Sequence, residues 1–151
     1  MTSQAASQIS LRRAVLNDAQ VLLEWRNDPA TRAASLTSHA ISPVDHFDWL
    51  EKTLRMETRI LWIAESQGRA VGTVRLDTAA QRQELSWTVA PDARGAGFGK
   101  AMVCAALAQT SGTIRARIRP ENAPSRAIAR ACGFTRVYVE GGVETWLFRL
   151  G

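Results

Sequence analysis

This 151-residue chain is poor in four residue types, with two cysteines, two histidines, two lysines and a single tyrosine. Cys104 and Cys132 have neither CxxC nor metal-ligand spacing, which excludes a zinc-ribbon or redox-motif reading and a disulfide framework. Both lie in apolar helical context and read as buried thiols in a reducing compartment. His39 and His46 are read as solvated or capping residues, and no metal is expected. No apolar run approaches the ~18 residues of a membrane span, so no membrane partner is expected. The opening MTSQAASQIS lacks a basic n-region and an apolar core, so residues 1–8 read as a flexible tail and not as a secretory signal. A cytoplasmic protein is expected.

Arginine, by contrast, is plentiful. Only Lys52 and Lys100 among the 19 basic residues are lysines, and the net charge is +5. That balance suggests an anionic partner, and nucleic acid, a nucleotide cofactor and a phosphorylated substrate all fit. The length suits one domain, over residues 9–151.

Periodicity places the elements. Ile9–Ala14 reads as a strand, and Asn17 or Asp18 caps a helix running to Asn27. A polar stretch with a short helix after Pro29 follows. Ser42, Pro43 and Asp45 then form a helix-start signature. Strands are expected over 59–65, 70–77 and 83–90, with Leu85, Trp87 and Val89 on one face of the last and Glu84, Ser86 and Thr88 on the other. A helix over 97–109, a strand over 113–119 and a helix stopped by Gly133 come next. Two strands around Gly141-Gly142 close the chain. The fold class is therefore α/β, a mixed, mostly antiparallel sheet of about seven strands with helices on both faces.

The stretch VAPDARGAGFGKAM sits where a strand meets a helix, with Gly95, Gly97 and Gly99 at alternate positions. Free N–H groups at a helix start, beside missing side chains, suit a phosphate. Both common phosphate loops fail here. The Walker A form needs Gly at position 94 and Ser or Thr at 101, where the chain has Arg94 and Ala101. The dinucleotide form needs Gly at 100, where it has Lys100.

The stretch resembles the acetyl-CoA-binding segment of the GNAT superfamily of N-acetyltransferases. Arg94, Gly97 and Gly99 match its arginine-glycine-glycine pattern, and Val89 and Pro91 match the preceding V-x-P. Downstream, Asn122, Ser125, Gly133 and Phe134 match the family's second segment in order and spacing. The resemblance implies an acetyl-CoA co-substrate with its pyrophosphate on the backbone of Arg94, Gly95, Ala96, Gly97, Phe98, Gly99 and Lys100. It implies pantetheine between the strand holding Trp87, Thr88 and Val89 and the strand 114–118, with Asn122 and Ser125 bonding to its arm. The Val89 amide would stabilise the oxyanion, and Glu84 would take the acceptor's proton. The family's usual acid, a tyrosine, is replaced by Ala129; the remaining options are water, another group, no acid, or a covalent route through Cys132.

A shorter resemblance spans Trp25 to Asp28 with Arg32. It is similar to two GNAT groups, one acetylating nucleotide-linked amino sugars and one acetylating ribosomal-protein N-termini. It implies substrate contacts from Trp25, Arg26 and Arg32. A small-molecule amine acceptor, no nucleic-acid partner and a monomer or homodimer are expected. Two readings of other classes stay open. One is a degenerate CoA-binding sensor. The other is a nucleic-acid module using Arg115, Arg117 and Arg119 with the five tryptophans.

Overall fold

The computed structural model describes residues 8–149; the expected N-terminal tail lies, apart from Gln8, outside the described residues. Strand β1 (Ile9–Arg13) leads through a 3-10 turn at Leu16–Asp18 into α1 (Ala19–Asn27), α2 (Pro29–Ala34) and α3 (Pro43–Arg55). Three strands follow, β2 (Arg59–Ser66), β3 (Arg69–Ala79) and β4 (Arg82–Val89). After a 3-10 turn at Pro91–Ala93 come α4 (Phe98–Leu107), β5 (Thr113–Ile118) and α5 (Ala123–Ala131), and the hairpin of β6 (Thr135–Glu140) and β7 (Val143–Arg149) closes the fold. The expected order is the observed one.

The seven strands form one sheet in the order β1-β2-β3-β4-β5-β7-β6. Every neighbouring pair is antiparallel except β4 and β5. Register sorts the side chains by face. Gly72, Val74 and Leu76 on β3 lie opposite Val89, Trp87 and Leu85 on β4. That face meets α4: a Cβ on Gly72 would lie 2.7 Å from Met102 Sδ, and one on Gly99 would strike Ile128 of α5 and Val89. The opposite face of β3 and β4 carries Thr73, Arg75, Asp77, Glu84, Ser86 and Thr88. There Arg59 Nη1 donates to Thr53 Oγ1, which puts α3 over the β2 end of this face. The buried cluster includes Leu22, Leu50, Ile63, Leu85, Met102 and Trp146, so helices cover both faces, as the sequence implied.

Helix starts follow their local chemistry. Ser42 Oγ accepts from the Asp45 N–H at 3.2 Å, with Pro43 at the first helical position. Asp18 departs from its expected capping role. Its buried carboxylate accepts two bonds from Arg12 and one from the Val15 N–H.

One turn carried no sequence signal. Ala80 and Gln81, between β3 and β4, both have positive φ, 51° and 64°. Two-residue hairpins of this hand favour Asn-Gly, because a Cβ costs about 1 kcal/mol or more per residue there. The double replacement Ala80→Asn with Gln81→Gly is expected to stabilise the protein by about 1 kcal/mol. A urea melt reads this as a higher midpoint at unchanged slope; an unmoved midpoint would contradict it.

Candidate functional site

Strands β4 and β5 pair at two positions only, Gln83 with Ile114 and Glu84 with Arg115. Beyond Glu84 they diverge, while β4 stays paired to β3 as far as Val89 and β5 to β7 as far as Ile118. The result is a fork in the middle of the sheet. Its backbone chemistry follows from antiparallel alternation. The Ala90 N–H donates to Val71 O at 2.8 Å, so the adjacent pair Val89–Gly72 is of the non-hydrogen-bonded kind. The N–H groups of Val89 and, two residues earlier, Trp87 therefore point away from β3, into the fork. The Val89 amide, expected as the oxyanion donor, has the direction that role needs.

The glycine stretch lies at the fork's open end. Gly97 is the N-cap of α4 in the left-handed region (φ 83°) and supplies no side-chain cap bond. Ala101 N–H already reaches back to Gly97 O, whereas the N–H groups of Phe98, Gly99 and Lys100 precede the first intrahelical bond. The three glycines do different work. Gly95 and Gly97 adopt positive φ, and Gly99 lets α4 touch Val89 and Ile128. Phe98 sends its ring into the core, so only its backbone faces the loop. Lys100 is exposed and Ala96 half-buried.

Arg94 takes up a role that sequence reasoning missed. Its Nη2 donates to Asp28 Oδ2 and to Thr31 Oγ1, both at 2.9 Å. Asp28 in turn caps α2, accepting from the Thr31 N–H. The glycine loop is thereby tied to the α1–α2 junction. Asn122 also spends part of its side chain locally, its Oδ1 accepting the Ser125 N–H at the start of α5. Trp87 is half-buried against Phe134, and its Nε1–H is buried without a partner.

On the other face stands an arginine cluster. Glu84, expected as a free base, is ion-paired. Its Oε1 accepts from Arg115 Nε at 2.7 Å and Arg117 Nε at 2.9 Å, and its Oε2 accepts from Arg117 Nη2 at 3.1 Å. Both oxygens thus already serve as acceptors, an engagement that the sequence reading did not anticipate. Arg119 donates to the carbonyls of Ser35 and Leu36. Arg115 and Arg117 of β5 and Arg119 just beyond it are thus each bonded within the chain.

Trp25, expected to touch substrate, is 6% exposed and belongs to the core, which corrects that reading. Arg26 and Arg32 do come together. Arg26 donates to Thr37 O and Arg32 to Ser38 O, each at 3.0 Å. Burial, then the charges of Arg32 and Arg75, hold the Arg26 guanidinium below its usual range. His46 is buried, not solvated. It stacks on Trp49, and burial above all lowers its pKa.

Ala129 is fully buried, and the lone tyrosine, Tyr138, is exposed on the outermost strand, so neither offers an acid beside the fork. Cys132 Sγ lies 2.8 Å from Cys104 Sγ. Burial, reinforced by that contact, pushes the Cys132 thiol well up, which removes its nucleophilic form. Cys104 is half-buried, a correction to its expected full burial. Among the described residues, no group of three or more His, Cys, Asp and Glu is arranged to hold a metal ion, and no helix is long and apolar enough to cross a membrane.

Comparison with known proteins gives three findings. Residues 8–135 match the model of the acetyltransferase (GNAT) domain. A mycothiol acetyltransferase of Acidothermus cellulolyticus is 34% identical over 79 residues, covering 51% of this chain and 24% of that protein. The match thus spans about a quarter of that relative's length. Among solved structures, a spermidine N-acetyltransferase from Vibrio cholerae, in complex with CoA and spermine, superposes with a TM-score of 0.84 at 18% identity, covering 94% of this chain and 95% of that one. An aminoglycoside acetyltransferase in complex with coenzyme A gives 0.80 at 18% identity, covering 93% and 94%. Both show the fold of this chain.

The Arg94–Asp28 tie has a pH signature. Hydrogen bonds from Arg94 and then from the Thr31 N–H hold the Asp28 carboxyl below its ordinary value. A depressed carboxylate stabilises the fold above its unfolded pKa of about 4 and loses that contribution as pH falls. Asp28→Asn keeps a capping oxygen and removes the charge. Its melting temperature should lie below that of the parent at pH 7, and the gap should begin to narrow near pH about 4 and close below it, as pH falls through the depressed folded value. A gap independent of pH would remove the charge from the account.

Proposed function

The chain belongs to the GNAT acetyltransferase domain family, and from that premise we propose that it moves an acetyl group from acetyl-CoA to the primary amine of a small metabolite, by direct attack in a ternary complex. One observation carries this reading: the β4–β5 fork opens toward the unpaired amides at the start of α4. When bound, acetyl-CoA supplies an activated thioester. The N–H groups of Phe98, Gly99 and Lys100, with the helix dipole behind them, suit its pyrophosphate. The fork suits its pantetheine arm, with the Trp87 and Val89 amides and the unpartnered Trp87 Nε1–H as donors. The Val89 N–H is directed to stabilise charge on the carbonyl oxygen. Asn122 keeps its amide nitrogen as a donor, and Ser125 stands beside it on α5. Thr88, on the opposite face from Trp87, looks toward the acceptor side.

The acceptor we favour is an amino sugar carried on a nucleotide; the free α-amine of a protein N-terminus is the second reading. Both rest on the short resemblance around Arg26 and Arg32. Two free thiols fit a reducing compartment, and we place the enzyme in the cytoplasm.

The engagement of Glu84 alters the proton path. An ammonium ion brought among arginines is destabilised by like charge, so the neutral amine forms more readily and water takes the proton. Water likewise protonates the departing thiolate.

Two measurements test these assignments. Lys100 is exposed in the first turn of α4, where a carboxylate favours the helix and opposes a pyrophosphate. Lys100→Glu should therefore weaken coenzyme A binding about tenfold or more in calorimetry without lowering the melting temperature. Unchanged affinity would move the cofactor elsewhere. Glu84→Gln should keep the acid limb of the kcat/KM profile for amine-dependent thiol release, at reduced overall rate. Loss of that limb would return the base role to Glu84.

A further inference from the structure

The arginines on the acceptor face are unevenly compensated. Asp77 is shared by Arg59 and Arg75, and Glu84 by Arg115 and Arg117. Each carboxylate thus already faces two guanidinium groups. Arg26 and Arg32 have no carboxylate partner among the described residues; each bonds one loop carbonyl. A guanidinium carries five N–H donors in a rigid fork, so the carbonyl bonds leave most of them unused. One nitrogen of Arg26, Nη1, is buried and makes no hydrogen bond. Burying a cationic donor without a partner is costly unless something arrives to accept from it.

Location makes this more than a local imbalance. Arg75 stands opposite Ser86 in the β3–β4 register, and two pairs further on Thr73 stands opposite Thr88, next to the fork-facing Val89. Arg26, on α1, lies close enough to feel the charges of both Arg32 and Arg75. The strand arginine and the two helix arginines therefore converge over the polar face beside the fork.

We propose that Arg26, together with Arg32 and Arg75, forms an anion-recognising subsite that selects acceptors carrying a phosphate or carboxylate beside the amine. The inference rests on the N-acetyltransferase reading and sharpens it. A planar guanidinium matches either anion bidentately, and neighbouring like charges make the first anion to arrive the more welcome. The same field disfavours polycationic amines. In that respect this chain departs from the spermidine and aminoglycoside acetyltransferases whose fold it shares.

The test compares matched acceptors in acetyl-CoA-dependent thiol release: glucosamine 6-phosphate against glucosamine, glycine against glycinamide, and spermidine as the polycation. The anionic member of at least one pair should have a kcat/KM about tenfold higher or more, the advantage shrinking with added salt, and spermidine should be the poorest acceptor. The phosphate and carboxylate pairs separate the two anions. The anionic-to-neutral ratio should fall at least about fivefold in Arg26→Gln and in Arg75→Gln, a contrast that a general loss of rate does not produce. Arg75 makes no bond to the 35–38 loop, so its variant guards against loop disorder in the first. Equal rates within both pairs, a ratio that survives both substitutions, or a preference for spermidine would overturn the subsite. If no amine is acetylated, the enzyme reading fails, and the subsite is then judged by calorimetry of glucosamine 6-phosphate and glycine against their neutral partners on the CoA-saturated protein. Anion-selective binding lost in Arg26→Gln sustains it, and its absence overturns it.

Discussion

Two adjacent strands that stop pairing after two rungs organise this molecule. β4 belongs to the β1–β4 half of the sheet and β5 to the β5–β7 half, and the halves share only the rungs at Gln83 and Glu84. Parallel pairing is somewhat weaker per residue than antiparallel pairing, so the fork opens at the weakest seam. Both faces then hold the geometry. On one, Glu84 clamps Arg115 and Arg117 of the facing strand just where pairing ends. On the other, α4 and α5 meet across the seam at the Gly99–Ile128 approach, which a Cβ on residue 99 would block. The backbone donors left in the gap need partners that the protein does not supply. A fork of this kind is an unfinished sheet with backbone donors to spare.

Much of this was legible in the chain. Alternation along Gln83–Ala90 gave the central strand and its two faces, and the run from Val89 to Met102 located the strand-to-helix junction. The capping signature at Ser42 marked its helix start correctly. The Ala80-Gln81 turn was invisible as a turn type, because neither residue advertises positive φ. The glycine stretch was only half understood. Read as three positions bared for a phosphate, it contains two glycines set by backbone conformation and one set by helix packing.

Side-chain roles were the least legible, for a physical reason. An arginine reaches six or seven ångströms from its Cα, about the spacing between packed elements, so its partner is decided by tertiary structure. Alternate arginines on β5 and just beyond it looked like an exposed cationic row, yet one pair holds Glu84 and the third holds the loop carbonyls of Ser35 and Leu36. Glu144 shows the same limit. Nothing in VETWLFRL marks it as interior, yet it is 1% exposed, held by Arg126, Arg136 and the Trp146 indole. Breaking so buried an arrangement costs about 3 kcal/mol or more. Trp25 erred in the opposite direction, since a conspicuous aromatic in a motif-like stretch proved to be core.

Of the three buried side-chain atoms without partners among the described residues, His46 Nε2 belongs to α3, and the other two stand on opposite sides of the sheet. A protein of this size leaves few such groups, and each requires a reason. The Trp87 Nε1–H lies on the face packed by α4 and α5, beside Phe134; Arg26 Nη1 lies on the face of Arg75 and Glu84. The fork is the opening between those faces. A ligand whose arm threads the fork from the α4 side meets the first donor, and one that settles among the arginines meets the second. Between them runs the strand whose Val89 N–H points into the gap. Under the proposed function the Trp87 and Arg26 donors mark the seats of the two reactants. The sheet itself keeps the two reactants apart except at the place where they are meant to meet.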